Sequence, residues 1–213
     1  MKLIIYHGSD NIIDKPNYEG GRKFSDFGRG FYATTNIEMA KSWATRKKDK
    51  PSYVNKYMFN VDGLNSLTFD LDIHWILFIA YNRGLILNDE INNILNKKYE
   101  NIHEYDVIIG PTADDKMFDT LNLFFNNNIT IDHCLHALNS MDLDVQYNIK
   151  TQAGIDAVEF SSATQLDELD KVYYSKEVRS KKDIMNKKMT FIRQKFGKVG
   201  KYFDELEGVD ING

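Results

Sequence analysis

The sequence predicts an α+β domain followed by a helical extension, and three observations carry that expectation. Short strand patterns are interleaved with several helical ones and joined by polar loops. No internal repeat and no Pro-, Gly- or Ser-rich linker divides the chain, so one core is read over residues 1–170 and an extension over residues 171–213. The 213 residues are 42% hydrophobic, 13% aromatic and 27% charged with only three prolines. That composition excludes collagen-like, low-complexity and disordered classes, and a chain of this length buries roughly 70% of its unfolded surface.

The elements follow in order. Leu3–Tyr6 is apolar without alternation, which suits a strand buried on both faces and ending at Gly8 and Ser9. The stretch FSDFGRGFYATTN brackets Arg29 with Gly28 and Gly30, a pattern that lets a loop approach a ligand closely, before a short strand at Phe31–Thr34. Thr35 and Glu38 read as a capping box for a helix over 36–48. Strands are expected at 53–61 and 67–71, with Asp70, Asp72 and His74 marking a solvent face that gives way to an apolar helix over 73–81. YDVIIGP reads as a buried strand with a Gly-Pro turn, Thr112 and Asp115 as caps of the next helix, and 131–138 as another helix broken from it by an Asn-rich loop. VQYNI at 145–149 is a strand.

Charge is unevenly spread. Residues 1–170 hold 16 Lys and Arg against 25 Asp and Glu, while residues 171–201 hold 11 against two. This basic stretch reads either as a solvated helical face or as a surface that attracts nucleic acid or an acidic protein. Val178, Met185, Met189, Ile192, Phe196, Val199, Phe203 and Leu206 form an apolar seam along it, weakened at Gly197 and Gly200; the seam suits a helix folded back on its own domain, a partner helix or a dimer. The single cysteine, Cys134, excludes a disulfide framework, and the cluster Asp132, His133, Cys134 and His136 is set aside as a metal site, so no metal is expected. With no apolar run near 20 residues and no signal-peptide pattern, the expected compartment is the cytoplasm and no membrane partner is expected.

Three separated pieces carry chemistry: His7-Gly8-Ser9 at a strand end, FGRGFY at 27–32, and Gln146 on VQYNI. Each alone has a plain structural reading; His7 as a structural histidine, Tyr32 as a strand aromatic, Trp43 as helix core, Gln146 as a solvent-facing residue. In this order they resemble the motifs of the ADP-ribosyltransferase superfamily of the diphtheria-toxin and poly(ADP-ribose) polymerase type. FGRGFY is similar to that family's FGKGIY, and Trp43 stands eleven residues after Tyr32, where the family places a second aromatic. The third motif matches with Gln146 in place of the usual glutamate, giving a His-Tyr-Gln variant. The layout over residues 3 to 160 looks closest to an uncharacterised bacterial branch suspected to be toxins of toxin-antitoxin loci.

The resemblance implies a split-sheet core with surrounding helices and NAD as substrate. It implies His7, Tyr32 and Gln146 as the catalytic set, and Gly8, Ser9, Arg29, Gly30, Tyr32 and Trp43 as NAD-binding residues. His7 would bond the adenosine ribose, Gly8 the nicotinamide carboxamide and Arg29 the pyrophosphate, while Tyr32 and Trp43 sandwich the nicotinamide ring. Gln146 keeps a hydrogen bond to ribose but lacks charge and basicity, which favours transfer of one ADP-ribose unit to an already nucleophilic protein or nucleic acid; Asp114 and Asp115 are weak candidates for a base. An antitoxin or partner helix at the extension belongs to the same expectation. The alternative is a non-catalytic module that binds NAD or ADP-ribose and acts through its C-terminal helix.

Overall fold

β1 (Lys2–Ser9) lies inside the sheet, antiparallel to both β2 (Phe31–Thr34) and β3 (Ser52–Asn60). The computed structural model describes residues 1–85, 89–113, 115–141, 143–196 and 199–206. β3 pairs with β7 (Val158–Leu166) on one side. On the other, β2 pairs with β6 (Val145–Ile149), which pairs with β5 (Val107–Pro111), and the short β4 (Ser66–Thr68) runs parallel to β5 at the edge. The described residues thus form a seven-stranded sheet in the order β4-β5-β6-β2-β1-β3-β7. Its two wings meet at a narrow seam. β1 and β3 pair from Lys2 opposite Asn60 to Ser9 opposite Tyr53, whereas the β1–β2 pairing among the described residues is Tyr6 opposite Thr34.

Helices fill both wings: α1 (Ile37–Ala44), α2 (Ile73–Asn82), α3 (Asp89–Lys98), α4 (Asp115–Phe125), α5 (Ile131–Asn139), α6 (Gln152–Asp156) and α7 (Glu168–Phe196). α2 is apolar on every side and buries Trp75 through Ala80 completely, as expected of a helix at the centre of a core. Phe69 stacks on Phe78 at 4.6 Å, Phe27 meets Phe78 at 5.9 Å, and Ile91, Leu95, Leu121 and Phe124 close around them. Ala40 and Ala44 of α1 pack with Val54 and Leu166, small residues that let the helix approach β1 closely. The α+β class read from the sequence is the class of the fold.

Several local expectations are corrected. β1 is buried on one face only, with Ile5 inaccessible and Ile4 42% exposed. The N-cap of α1 is Asn36 rather than Thr35, its Oδ1 accepting from the Glu38 amide at 2.9 Å, and the helix stops at Ala44 with Thr45 as its cap. Asp72 is not a strand residue; it caps α2, accepting from the Trp75 amide at 3.0 Å. α3 and β7 were not read from the sequence. Asp114 and Gly197 lie outside the described residues, as do the side chains of Asp115, Val178, Met185, Met189 and Phe196.

The described part of the extension folds back. Ile192 is buried against Ala137 and Met141, the Tyr174 hydroxyl bonds the Glu38 carboxylate, and Phe203 meets Phe124 edge-on at 5.5 Å. The Ile131 amide donates to the Lys201 carbonyl at 2.8 Å, so the tail completes the start of α5. Leu169, Val172 and Tyr173 near the start of α7 stay exposed.

Gly8 sits under α1 with no room for a side chain: a Cβ there would lie 1.9 Å from the Ala40 carbonyl oxygen and 2.6 Å from the Ala44 nitrogen. Gly8→Ala must therefore displace the helix that carries Trp43, and should lower unfolding free energy in urea by about 3 kcal/mol. An unchanged urea midpoint would contradict this packing.

Candidate functional site

Where β1 and β2 part, a cleft of about 900 Å3 opens, within the range of roughly 300–1,000 Å3 typical of small-molecule and cofactor sites. His7, Gly8, Ser9, Gly30, Tyr32, Trp43 and Gln146 all line it. Arg29 does not: its side chain is exposed, and its backbone carbonyl accepts from Lys150 Nζ at 3.0 Å.

His7 is fixed from two directions. Its Nδ1 lies 2.6 Å from the Tyr32 carbonyl oxygen, which can only accept, so Nδ1 carries the proton and Nε2 keeps its lone pair. The ring leans on Phe31 at 4.7 Å. Burial holds its pKa below the ordinary histidine value, against the raising effect of the Tyr32 carbonyl, so the site presents a neutral acceptor. Behind it, buried Asn55 donates to the His7 and Asn11 carbonyls at 3.4 and 3.1 Å and accepts from the Ile13 amide at 2.8 Å, pinning the chain that leaves β1.

Tyr32 uses its hydroxyl internally, accepting from the Phe27 amide at 2.9 Å and donating to the Gly28 carbonyl at 2.8 Å. Burial, with the nearby Asp26 carboxylate, drives its phenol far above its usual range. Tyr32 is thus a rigid aromatic wall and not a proton-transfer group. Trp43 is half-buried and lines the cleft, while the residues α1 buries are Ala40 and Ala44.

The glycines around Arg29 have reasons of their own. Gly28 has a φ of +75°, a conformation that favours glycine, and a Cβ on Gly30 would lie 1.8 Å from Asn148 Oδ1. They let the loop turn and press against β6; Phe27, buried in the core, anchors it. Lys150 braces it from behind, donating to the Phe27 carbonyl at 2.8 Å, and burial brings its pKa down to about 8.

Two residues missed in the sequence organise the floor. Asp26 is buried, and its Oδ1 accepts from Arg83 Nε at 2.9 Å in a charge-assisted pair that also engages Nη2. Its Oδ2 accepts from the Ala113 amide at 3.2 Å and from Gln146 Nε2 at 3.0 Å. Arg83 continues to the Ala113 carbonyl at 3.1 Å and lies 4.1 Å from the centre of the Phe118 ring. Gln146 is only 3% exposed, and its Nε2 also donates to the Pro111 carbonyl at 3.3 Å. The one available clue was an aspartate beside a core phenylalanine in FSDFGRG. Lys15, Arg22 and Arg46 line the mouth, whereas Lys47 there pairs with Asp10 at 2.8 Å. Among the described residues no group of three or more His, Cys, Asp or Glu converges as a metal site, and no helix is long and apolar enough to cross a membrane.

The chain belongs to a family described as proteins of unknown function (DUF3990), whose model matches residues 3–160. No curated protein matches it. Among solved structures it is similar to a chain of the M. tuberculosis MbcT-MbcA toxin-antitoxin complex, at 10% identity and a TM-score of 0.42, over 83% of this chain and 88% of that one.

The half-buried, neutral His7 makes a pH prediction. As pH falls below about 6.5 the unfolded chain takes up the proton first, so the stability tied to His7 is complete above that value and is lost as the folded imidazole is protonated. Between pH 7.5 and 5.5 the thermal midpoint of the wild type should therefore fall further than that of His7→Gln. Equal falls in the two proteins would show that His7 is not held neutral by the fold.

Proposed function

We propose that the cleft binds NAD and transfers a single ADP-ribose unit to a macromolecular acceptor, protein or nucleic acid, and that the protein is the toxin of a toxin-antitoxin pair. The observation that carries this reading is the meeting of His7, Tyr32, Trp43 and Gln146, drawn from separate segments, around one cleft of dinucleotide size. Each matches a motif position of the ADP-ribosyltransferases, and their environments suit the roles that resemblance assigns.

Nicotinamide is a cationic leaving group in NAD, so breaking its bond to the ribose C1′ needs placement and charge stabilisation more than acid catalysis. In this reading the Nε2 lone pair of His7 accepts from a hydroxyl of the adenosine ribose. Tyr32 and Trp43 enclose the nicotinamide ring, and Gly8 offers backbone groups to its carboxamide beside Ser9. Gln146 Oε1 accepts from a hydroxyl of the nicotinamide ribose. The electron pair of the broken bond leaves with nicotinamide; the acceptor's nucleophile bonds to C1′ and sheds its proton to solvent. Lys15, Arg22 and Arg46, which have no ion-pair partner among the described residues, suit the pyrophosphate better than the exposed Arg29. Their cationic mouth, leading to a floor whose charges are paired, fits the charge distribution of a dinucleotide.

One observation favours a second reading, a non-catalytic NAD or ADP-ribose binder acting through α7. The carboxylates at the cleft wall, Asp10 and Asp26, are both ion-paired. Incubation with labelled NAD in a cell lysate, followed by nuclease or protease digestion of the labelled fraction, separates the two and identifies the acceptor class. Release of nicotinamide with transfer of label supports the transferase; binding without release supports the module.

His7→Ala and Tyr32→Ala should each reduce labelling by at least about 100-fold, with Tyr32→Phe less affected because the ring wall remains. NAD should quench tryptophan emission in the wild type and not in Trp43→Phe, since Trp75 is buried in the core. Arg22→Gln combined with Arg46→Gln should raise KM for NAD about ten-fold with kcat nearly unchanged. Full labelling by Tyr32→Ala would remove the cleft from the reaction.

A further inference from the structure

We propose that Asp26 is the positioning residue of this site and the reason an amide, rather than a carboxylate, stands at position 146. The inference deepens the NAD reading above and rests on it. An unconstrained glutamine side chain can present either end of its amide. Here Nε2 is committed to two acceptors, Asp26 Oδ2 at 3.0 Å and the Pro111 carbonyl at 3.3 Å, so Oε1 is the end left for the cleft. Asp26 is itself immobilised: Arg83 holds one oxygen, and the Ala113 amide shares the other with Gln146. The orientation of Gln146 is therefore set by a chain of fixed groups, Arg83 to Asp26 to Gln146, that ends on an acceptor aimed at substrate.

The same geometry excludes a carboxylate at 146. Its inner oxygen would stand at hydrogen-bond distance from Asp26 Oδ2 and the Pro111 carbonyl, three acceptors with no proton among them, in a place nearly closed to water. The negative charge that ADP-ribosyltransferases of this motif type carry on the third-motif strand is here one hydrogen bond behind that strand. The amide at 146 and the carboxylate at 26 are one unit divided over two side chains. Both Asp26 oxygens are taken up by protein donors, so Asp26 acts through Gln146.

A four-protein cycle tests this: wild type, Gln146→Glu, Asp26→Asn and the double variant, each assayed for nicotinamide release from NAD and for thermal midpoint. Gln146→Glu should lower kcat at least about ten-fold and lower the midpoint, because the two carboxylates repel. Asp26→Asn should let the Gln146 amide turn over, lowering kcat about ten-fold while KM for NAD stays within about three-fold. The double variant turns the introduced amide nitrogen toward a carboxylate at 146, restoring a donor on the 26–146 contact, while the Ala113 amide and the Pro111 carbonyl lose their partners. Its release should recover to within about three-fold of wild type, with its midpoint above that of Gln146→Glu.

A double variant no better than the worse single in both readouts would overturn the proposal, leaving Asp26 a structural partner of Arg83 alone. Equal loss of kcat and NAD affinity in Asp26→Asn would likewise overturn the positioning role. A wild type that binds NAD but releases no nicotinamide would overturn the transferase reading and with it the part Asp26 plays in turnover through Gln146. The thermal cycle reads the Asp26–Gln146 coupling independently of turnover, and additive losses there would overturn that as well.

Discussion

The ion pair between Asp26 and Arg83 is the contact on which the site depends. It joins the loop before β2, the end of α2, the turn after β5 and, through Gln146, strand β6. The Arg83 side chain is 22% exposed, so removing it costs less than the roughly 3–5 kcal/mol of a fully buried pair, yet it leaves the buried Asp26 carboxylate without compensation. Stability alone does not explain it, since a well-packed apolar pair of similar volume often serves as well. What an ion pair adds is direction: a carboxylate held by three kinds of donor has one orientation, and so has whatever hydrogen-bonds to it.

Around that contact the cleft exists because β1 and β2 do not zip together. Tyr6 meets Thr34, and beyond it the His7 ring takes the Tyr32 carbonyl that a continuing ladder would otherwise use. The same hydrogen bond therefore holds the strands apart, fixes the His7 tautomer and leaves Nε2 as the ring nitrogen with a free lone pair. α1 closes the other wall by lying on Gly8, which brings Trp43 to the cleft while its two alanines pack below. Shape and chemistry at this end of the sheet come from the same few residues.

Much of this was legible in the sequence wherever the signal was local. VQYNI, the apolar run of α2 and the turn glycines each announce themselves within a few residues, and the separated motifs were enough to nominate residues that line one cleft. β7 escaped because it is a polar edge strand, VEFSSATQL, whose partner β3 lies about a hundred residues away and whose exposed face needs no alternation. Glu38 misled because a capping box depends on Thr35 being the cap; one residue later, Asn36 caps instead and frees Glu38 for Lys41 and Tyr174. Asp26 escaped for a stronger reason. Its partners stand 57, 87 and 120 residues away in sequence, and only folding brings them together.

The distribution of charge along the chain takes on a different meaning once folded. Residues 1–170 are acidic overall, yet the cleft they form is cationic at its mouth, with Lys15, Arg22 and Arg46 unpaired among the described residues while the acids at the wall are neutralised. An acidic surround to a cationic opening focuses the field there and draws in a small anion. The excess of lysine and arginine lies instead on α7, part of which is folded against α1 and α5. The acidic total of residues 1–170 therefore does not set the character of the cleft, which follows from three side chains at its mouth and from the pairing of the acids behind them.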